Sequence, residues 1–163
     1  MSNVNYIDSV DYTISISVTN LDEIVAQGIE STSLTATELL NNSELTAQAE
    51  IRAYLNSVYQ IDVEFAKNFD DEPDIRNKLT LRCCVNLSLF NLHMTINPRD
   101  VPEKVEKAYE RCIESLDAAR RGELDLGLLP NDDTTDPTLV NWRTLGSNIK
   151  FTSKPFADTS NLE

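Results

Sequence analysis

His93 is the one histidine among 163 residues, and it shares an apolar run with Cys83 and Cys84. A Cys–His nucleophile pair needs sulfur and imidazole within hydrogen-bond reach. On one helix those cysteines lie about 14–15 Å from His93 along the axis. That leaves only Cys112, and nothing around it resembles a nucleophile elbow. A metal centre would need His93 to converge with cysteines or carboxylates at ligand spacing, and the three cysteines show no such pattern. Asp70, Asp71, Glu72 and Asp74 could hold a hard cation, but no glycine permits a tight calcium-loop turn. Charge at a helix N-terminus explains them more simply. With 27 acidic residues, chance carboxylate pairs are unavoidable, and four glycines supply no phosphate loop. No catalytic set, cofactor or metal is therefore expected, and the chain reads as a binding protein.

The cysteines fit that reading. Helical neighbours point about 100° apart, so a Cys83–Cys84 bridge is disfavoured. All three are expected as small buried hydrophobes in a reducing compartment. The opening Met-Ser-Asn-Val-Asn-Tyr has neither a basic n-region nor an apolar run, so no leader is expected. No stretch approaches the roughly 20 apolar residues of a membrane span.

The net charge of −13 is unevenly distributed. Residues 1–50 hold Asp8, Asp11, Asp22, Glu23, Glu30, Glu38, Glu44 and Glu50, with no lysine or arginine. Residues 51–120 are nearly balanced. Such an acidic segment argues against gripping phosphates, which takes clustered lysine and arginine. It suits solubility or docking on a basic partner.

Hydrophobic periodicity supplies the elements. Tyr12–Thr19 alternates Ile14, Ile16 and Val18 with serine and threonine, the period of a half-buried strand that would pair within the chain or with a neighbouring subunit. Leu21–Glu30 reads as a short helix capped by Asn20. Thr35 and Glu38 form a capping box for a second short helix, which Asn41-Asn42 ends. Ser43 caps a further helix to about Tyr59, with Leu45, Gln48, Ile51, Leu55 and Val58 on one face. The segment 61–73 reads as a connection, and Pro73 suits the first turn of a helix from Asp74 to about Thr95. That helix has no charged residue from Cys83 to Ile96 and is expected at the centre of the core. Pro102 starts a last helix, closed by Gly122, with Val105, Ala108, Tyr109, Cys112, Leu116 and Ala119 inward. Its outer face alternates Glu103, Lys104, Glu106, Lys107, Glu110, Arg111 and Glu114, giving i,i+4 pairs worth about 0.2–0.5 kcal/mol each. The expected architecture is all-α: a bundle of about four helices over 34–130, an acidic arm over 1–33 and an extended tail over 131–163. The arms would add short strands to neighbouring subunits.

The run Ala49-Glu-Ile-Arg-Ala-Tyr-Leu-Asn-Ser-Val-Tyr59 resembles the first helix of the phage Mu-type head–tail joining family. In that family an alanine-led helix carries Tyr-Leu and ends in Tyr. A mostly apolar helix follows, then a Pro/Val-started helix with a central Tyr and a closing Gly. The counterparts here are 74–95 and 101–122, with Val105, Tyr109, Leu116 and Gly122 matching. Glu123-Leu-Asp-Leu-Gly-Leu-Leu-Pro130 also fits, and Phe151-Thr-Ser-Lys-Pro155 looks like the family's tail strand. The chain departs at Val58, where the family has Arg, at Asp62-Val63 in place of Leu-Pro, and in its long acidic N-terminus.

The resemblance implies a virion protein at the head–tail junction: a homo-oligomeric ring, often a dodecamer, with the portal above and a tail or neck protein below. DNA would pass through the channel without sequence recognition, and no membrane is involved. Ring contacts are heterologous and need complementary patches on opposite sides of one subunit. The candidates are Tyr12, Ile14 and Ile16 in the N-terminal arm, Glu103, Lys107 and Arg111 on the last helix, and Trp142 and Phe151 in the tail. The alternative is a non-structural acidic binder that mimics DNA to occupy a host enzyme.

Overall fold

The computed structural model describes residues 6–131. A 3₁₀ turn, Asp11–Ile14, precedes five α-helices: α1 (Val18–Thr32), α2 (Ala36–Leu55), α3 (Ile61–Phe65), α4 (Lys78–Ile96) and α5 (Glu103–Arg120). The described residues contain no strand, only an isolated antiparallel bridge between Tyr59 and Pro130.

The all-α expectation holds, and the helix without charges is its axis. Leu81, Cys83, Cys84, Val85, Leu87, Leu89 and Leu92 of α4 are all buried, because α1, α2 and α5 each pack against it. Phe90 stacks on Tyr109 of α5 with centroids 4.1 Å apart. Gly28 lets α1 approach closely: a Cβ there would sit 2.8 Å from Leu39 Cδ1 and 3.0 Å from Ile96 Cδ1.

Local signals hold where their partners are local. The Thr35–Glu38 capping box forms in both directions, and Gly122, at φ +75°, ends α5. Other expectations give way to tertiary contacts. Asn41-Asn42 does not end a helix, because α2 runs unbroken through it. Ser43 is no cap either. Its hydroxyl donates to Leu40 O at 2.8 Å and meets the Ser88 hydroxyl at 2.9 Å, so burial against α4 carries the helix past weak helix formers. The segment after Tyr59 contains α3. Helix α4 starts at Lys78, not Asp74, since Asn77 caps it by accepting from the Leu79 and Thr80 amides. The acids at 70–74 therefore lie outside its first turn. Helix α1 is longer than expected and is capped by Ser17, not Asn20.

The largest correction concerns residues 6–33, which are not a separate arm. Tyr6, Ile7, Tyr12, Leu21 and Val25 are buried in the same core as α2, α4 and α5. The alternating Tyr12–Thr19 segment is no strand: it forms the 3₁₀ turn and the start of α1. The Tyr12 hydroxyl hydrogen-bonds Ser88, 76 residues away, at 2.8 Å. That hydroxyl partner and the buried ring outweigh the period-2 pattern of Ile14, Ile16 and Val18.

Three buried charged residues lock this segment down. Glu44 Oε1 accepts from the Tyr6 amide at 3.2 Å, the Ile7 amide at 3.3 Å and Gln48 Nε2 at 2.9 Å. Glu64 accepts from the Tyr6 hydroxyl at 2.8 Å and also from the Asn77 amide and Lys67 Nζ. Arg76 donates to Tyr6 O at 2.7 Å, to Asp11 Oδ2 at 2.6 Å and to Asp74 Oδ1 at 2.9 Å. Burial opposes the Arg76 charge, but the Asp74 and Asp11 carboxylates more than offset this and raise its pKa. The Arg76 and Lys78 hydrogen bonds hold Asp74 well below the usual carboxylate range. Burial pushes the Tyr6 phenol up, with the Glu64 carboxylate adding to it.

Burial also raises Glu44 to about 7, against the pull of its three donors. A carboxyl whose folded pKa exceeds its unfolded one stabilises the fold below the unfolded value and loses that contribution as pH rises through the folded one. Glu44→Gln should therefore gain stability relative to the wild type between about pH 4.5 and 7, by about 2–3 kcal/mol; denaturant midpoints across that range would show it, and parallel curves would refute it. Gly28→Val, which over-packs α1 against α2 and α4, should cost about 1–3 kcal/mol in the same assay.

Candidate functional site

Helices α1 and α5 both pack on α4 but not on each other. The gap between them is an open groove of about 1210 Å³. One stripe of α4 makes its floor, Arg82, Asn86, Leu89, His93 and Ile96, spaced by three or four residues as a helix face requires. One wall is the Asn20, Glu23, Ile24 and Gln27 face of α1. The other is the Lys104, Val105, Lys107, Ala108 and Arg111 face of α5.

The groove is tied shut at one point by Asn86. Its Oδ1 accepts from the Ser15 hydroxyl and its Nδ2 donates to Cys112 Sγ at 3.5 Å, linking the N-terminal segment to α5 through α4. Lys104 Nζ reaches Ser15 O at 3.2 Å. Lys107 pairs with Glu103; among the described residues this is the one pair that closes within the alternating outer face of α5. Arg82 and Arg111 are exposed and form no ion pair among the described residues. The groove thus has a mixed floor, with Leu89 buried at its base and Asn86 and His93 polar, the uncommitted guanidinium groups of Arg82 and Arg111, and acids at Glu23, Asp100 and Glu103.

The His93 Nε2 atom is buried without a hydrogen-bond partner. Burial depresses its pKa, and Asp100 opposes the shift. All three cysteines are buried thiols. A hydrogen bond from Cys83 and another from the Asn86 amide lower Cys112 to about 7 against its burial, but the sulfur is enclosed in the α4–α5 contact. Among the described residues no group of three His, Cys, Asp or Glu could hold a metal ion. The groove exceeds the roughly 300–1,000 Å³ of small-molecule clefts. Its length along three helices suits a protein segment laid between them.

Five of the eight interface candidates meet here: Ile14, Ile16, Glu103, Lys107 and Arg111 all line the groove. Ile14 is 54 % exposed, while Ile16 is half-buried against the core. Tyr12 is not available to a partner, being 4 % exposed with its hydroxyl committed to Ser88. Trp142 and Phe151 lie outside the described residues. The α4 floor and the α1 wall went unrecognised in the sequence, since an apolar α4 reads as buried all round. The four- and seven-residue spacing of Arg82, Asn86 and His93 was the available signal.

Arg111→Ala should leave folding stability within about 0.5 kcal/mol, as expected for a surface group with no internal partner. Arg76→Ala should cost about 2–3 kcal/mol, because it strands acceptors that expect a charged donor. Chemical denaturation of both variants separates a groove cation from a folding one; equal losses would refute the distinction.

A family model described as Bacteriophage Mu, Gp36 matches residues 6–141. No curated protein and no solved structure matches the chain.

Proposed function

The chain belongs to the bacteriophage Mu Gp36 family, and on that premise we propose that it is a structural protein of the phage particle, a subunit of a ring below the portal. The ring joins the head to the tail or neck and helps retain the packaged DNA. The family match over most of the chain carries this reading. The groove supports it, since a ring subunit must offer a surface that its own chain leaves unfilled. The buried ionisable groups support it too: Glu44, Glu64 and Arg76 are spent on clamping the N-terminal segment to the bundle. Among the described residues no helix is long and apolar enough to cross a membrane, in keeping with assembly on a protein scaffold.

The test is cryo-electron microscopy of purified virions focused on the portal vertex, with mass spectrometry for this chain. Ring density beneath the portal is the expected result. Absence of the chain from mature particles would overturn the connector role in favour of a non-structural acidic binder.

A further inference from the structure

Helix α1 has two usable sides. At 100° per residue, Asn20, Ile24 and Gln27 face the groove, and Val18, Asp22 and Ile29 lie about half a turn away on the opposite flank. That flank is exposed: Val18 by 57 % and Ile29 by 42 %, with Asp22 between them. Val18, Asp22 and Ile29 thus form an apolar stripe with an acidic centre on a helix that has no lysine or arginine. The groove offers the complement, the half-buried apolar side chains of Ile24, Ile96 and Val105 beside the uncommitted Arg82 and Arg111.

We infer that the outer flank of α1 from one copy seats in the α1–α4–α5 groove of a second copy, with Asp22 facing Arg111 and Val18 and Ile29 over Ile24, Ile96 and Val105. This rests on the connector reading only for the ring that the contact closes. Flank and groove lie on opposite sides of one helix, so each copy can donate and accept at once. The contact is therefore heterologous and propagates, closing into a ring where the rotation per copy permits. Arg82, Lys104, Lys107 and Arg111 stand among Glu23, Asp100 and Glu103, with Lys107 already paired to Glu103, so the groove makes no continuous phosphate track and nucleic acid is the poorer occupant. Acid on one face and base on the other also disfavours face-to-face pairing of identical surfaces, since like charges would meet.

The experiment mixes isotopically labelled and unlabelled full-length chains at high concentration, couples touching carboxylates and amines with a carbodiimide, and maps intermolecular links by mass spectrometry. Links from Asp22 of one copy to Lys104 or Lys107 of another are expected. In sedimentation, Arg111→Glu and Asp22→Arg should each weaken self-association about tenfold, and the double variant should recover most of it. Both positions are exposed, and circular dichroism checks that the variants fold. Intermolecular links confined to other faces, no links at all, or single variants that associate like the wild type would overturn the inference. If the links form but virions lack the chain, the contact stands and the connector role falls. If virions hold a ring built on other surfaces, the role stands and this contact falls.

Discussion

The structure depends on covering one helix. From Cys83 to Ile96 helix α4 presents no charge in any direction, so water must be excluded from nearly its whole circumference. At about 25 cal/mol per Å² of apolar surface, that exclusion is the largest single drive on the fold. Helices α2, α5 and α1 each take a sector, helped by small residues at the crossings: Ser43 against Ser88, and Gly28 against Leu39 and Ile96. The cover is incomplete on one side. Where α1 and α5 fail to meet, a polar-edged stripe of α4 remains at the bottom of the groove, and the fold acquires its candidate binding surface from the same constraint that builds its core.

The N-terminal segment raises a second problem, since it docks where the bundle buries two carboxylates. Glu44 and Glu64 are both nearly buried, which is unfavourable for carboxylates without donors. Each is used as an acceptor for groups that would otherwise be orphaned, the Tyr6 and Ile7 amides on Glu44 and the Tyr6 hydroxyl and Asn77 amide on Glu64. Arg76 supplies the compensating charge and reaches Tyr6 O, Asp11 and Asp74 together. Partly satisfied networks of this kind destabilise and complete ones specify a single arrangement. The cluster thus sets where the chain before α1 lies, and with it the wall and the rim of the groove.

Asn77, at the start of α4, and Asn86, midway along it, perform similar duties. Asn77 caps the helix while donating to Leu126 O and taking Glu64 as acceptor for its amide. Asn86 joins Ser15 to Cys112. Loop, turn and helix are held to α4 by these side-chain amides as well as by apolar packing, with Leu126, Tyr12 and Leu116 all in the core.

The sequence by itself determined the class of fold, the central helix and the ends of elements whose signals are local. The Thr35–Glu38 box spans three residues, and the stop at Gly122 needs only its own φ. The charge-free run of α4 marks burial without reference to any partner. Glu103, Lys107 and Arg111 were legible because exposed side chains on an amphipathic helix can be read from its period, whereas Ile14 and Ile16 were reached through a strand period that the fold does not use. Only the tertiary structure decided that residues 6–33 belong to the core, that α2 continues through Asn41-Asn42, and that α1 forms a wall. Tyr12 illustrates the reason. Its neighbours alternate like a strand, yet its hydroxyl partner is 76 residues away. Tyr6 likewise depends on Glu44 and Glu64, 38 and 58 residues distant. Periodicity reports which faces prefer to be dry, whereas the placement of a buried polar group follows from partners brought close only when the whole chain has folded.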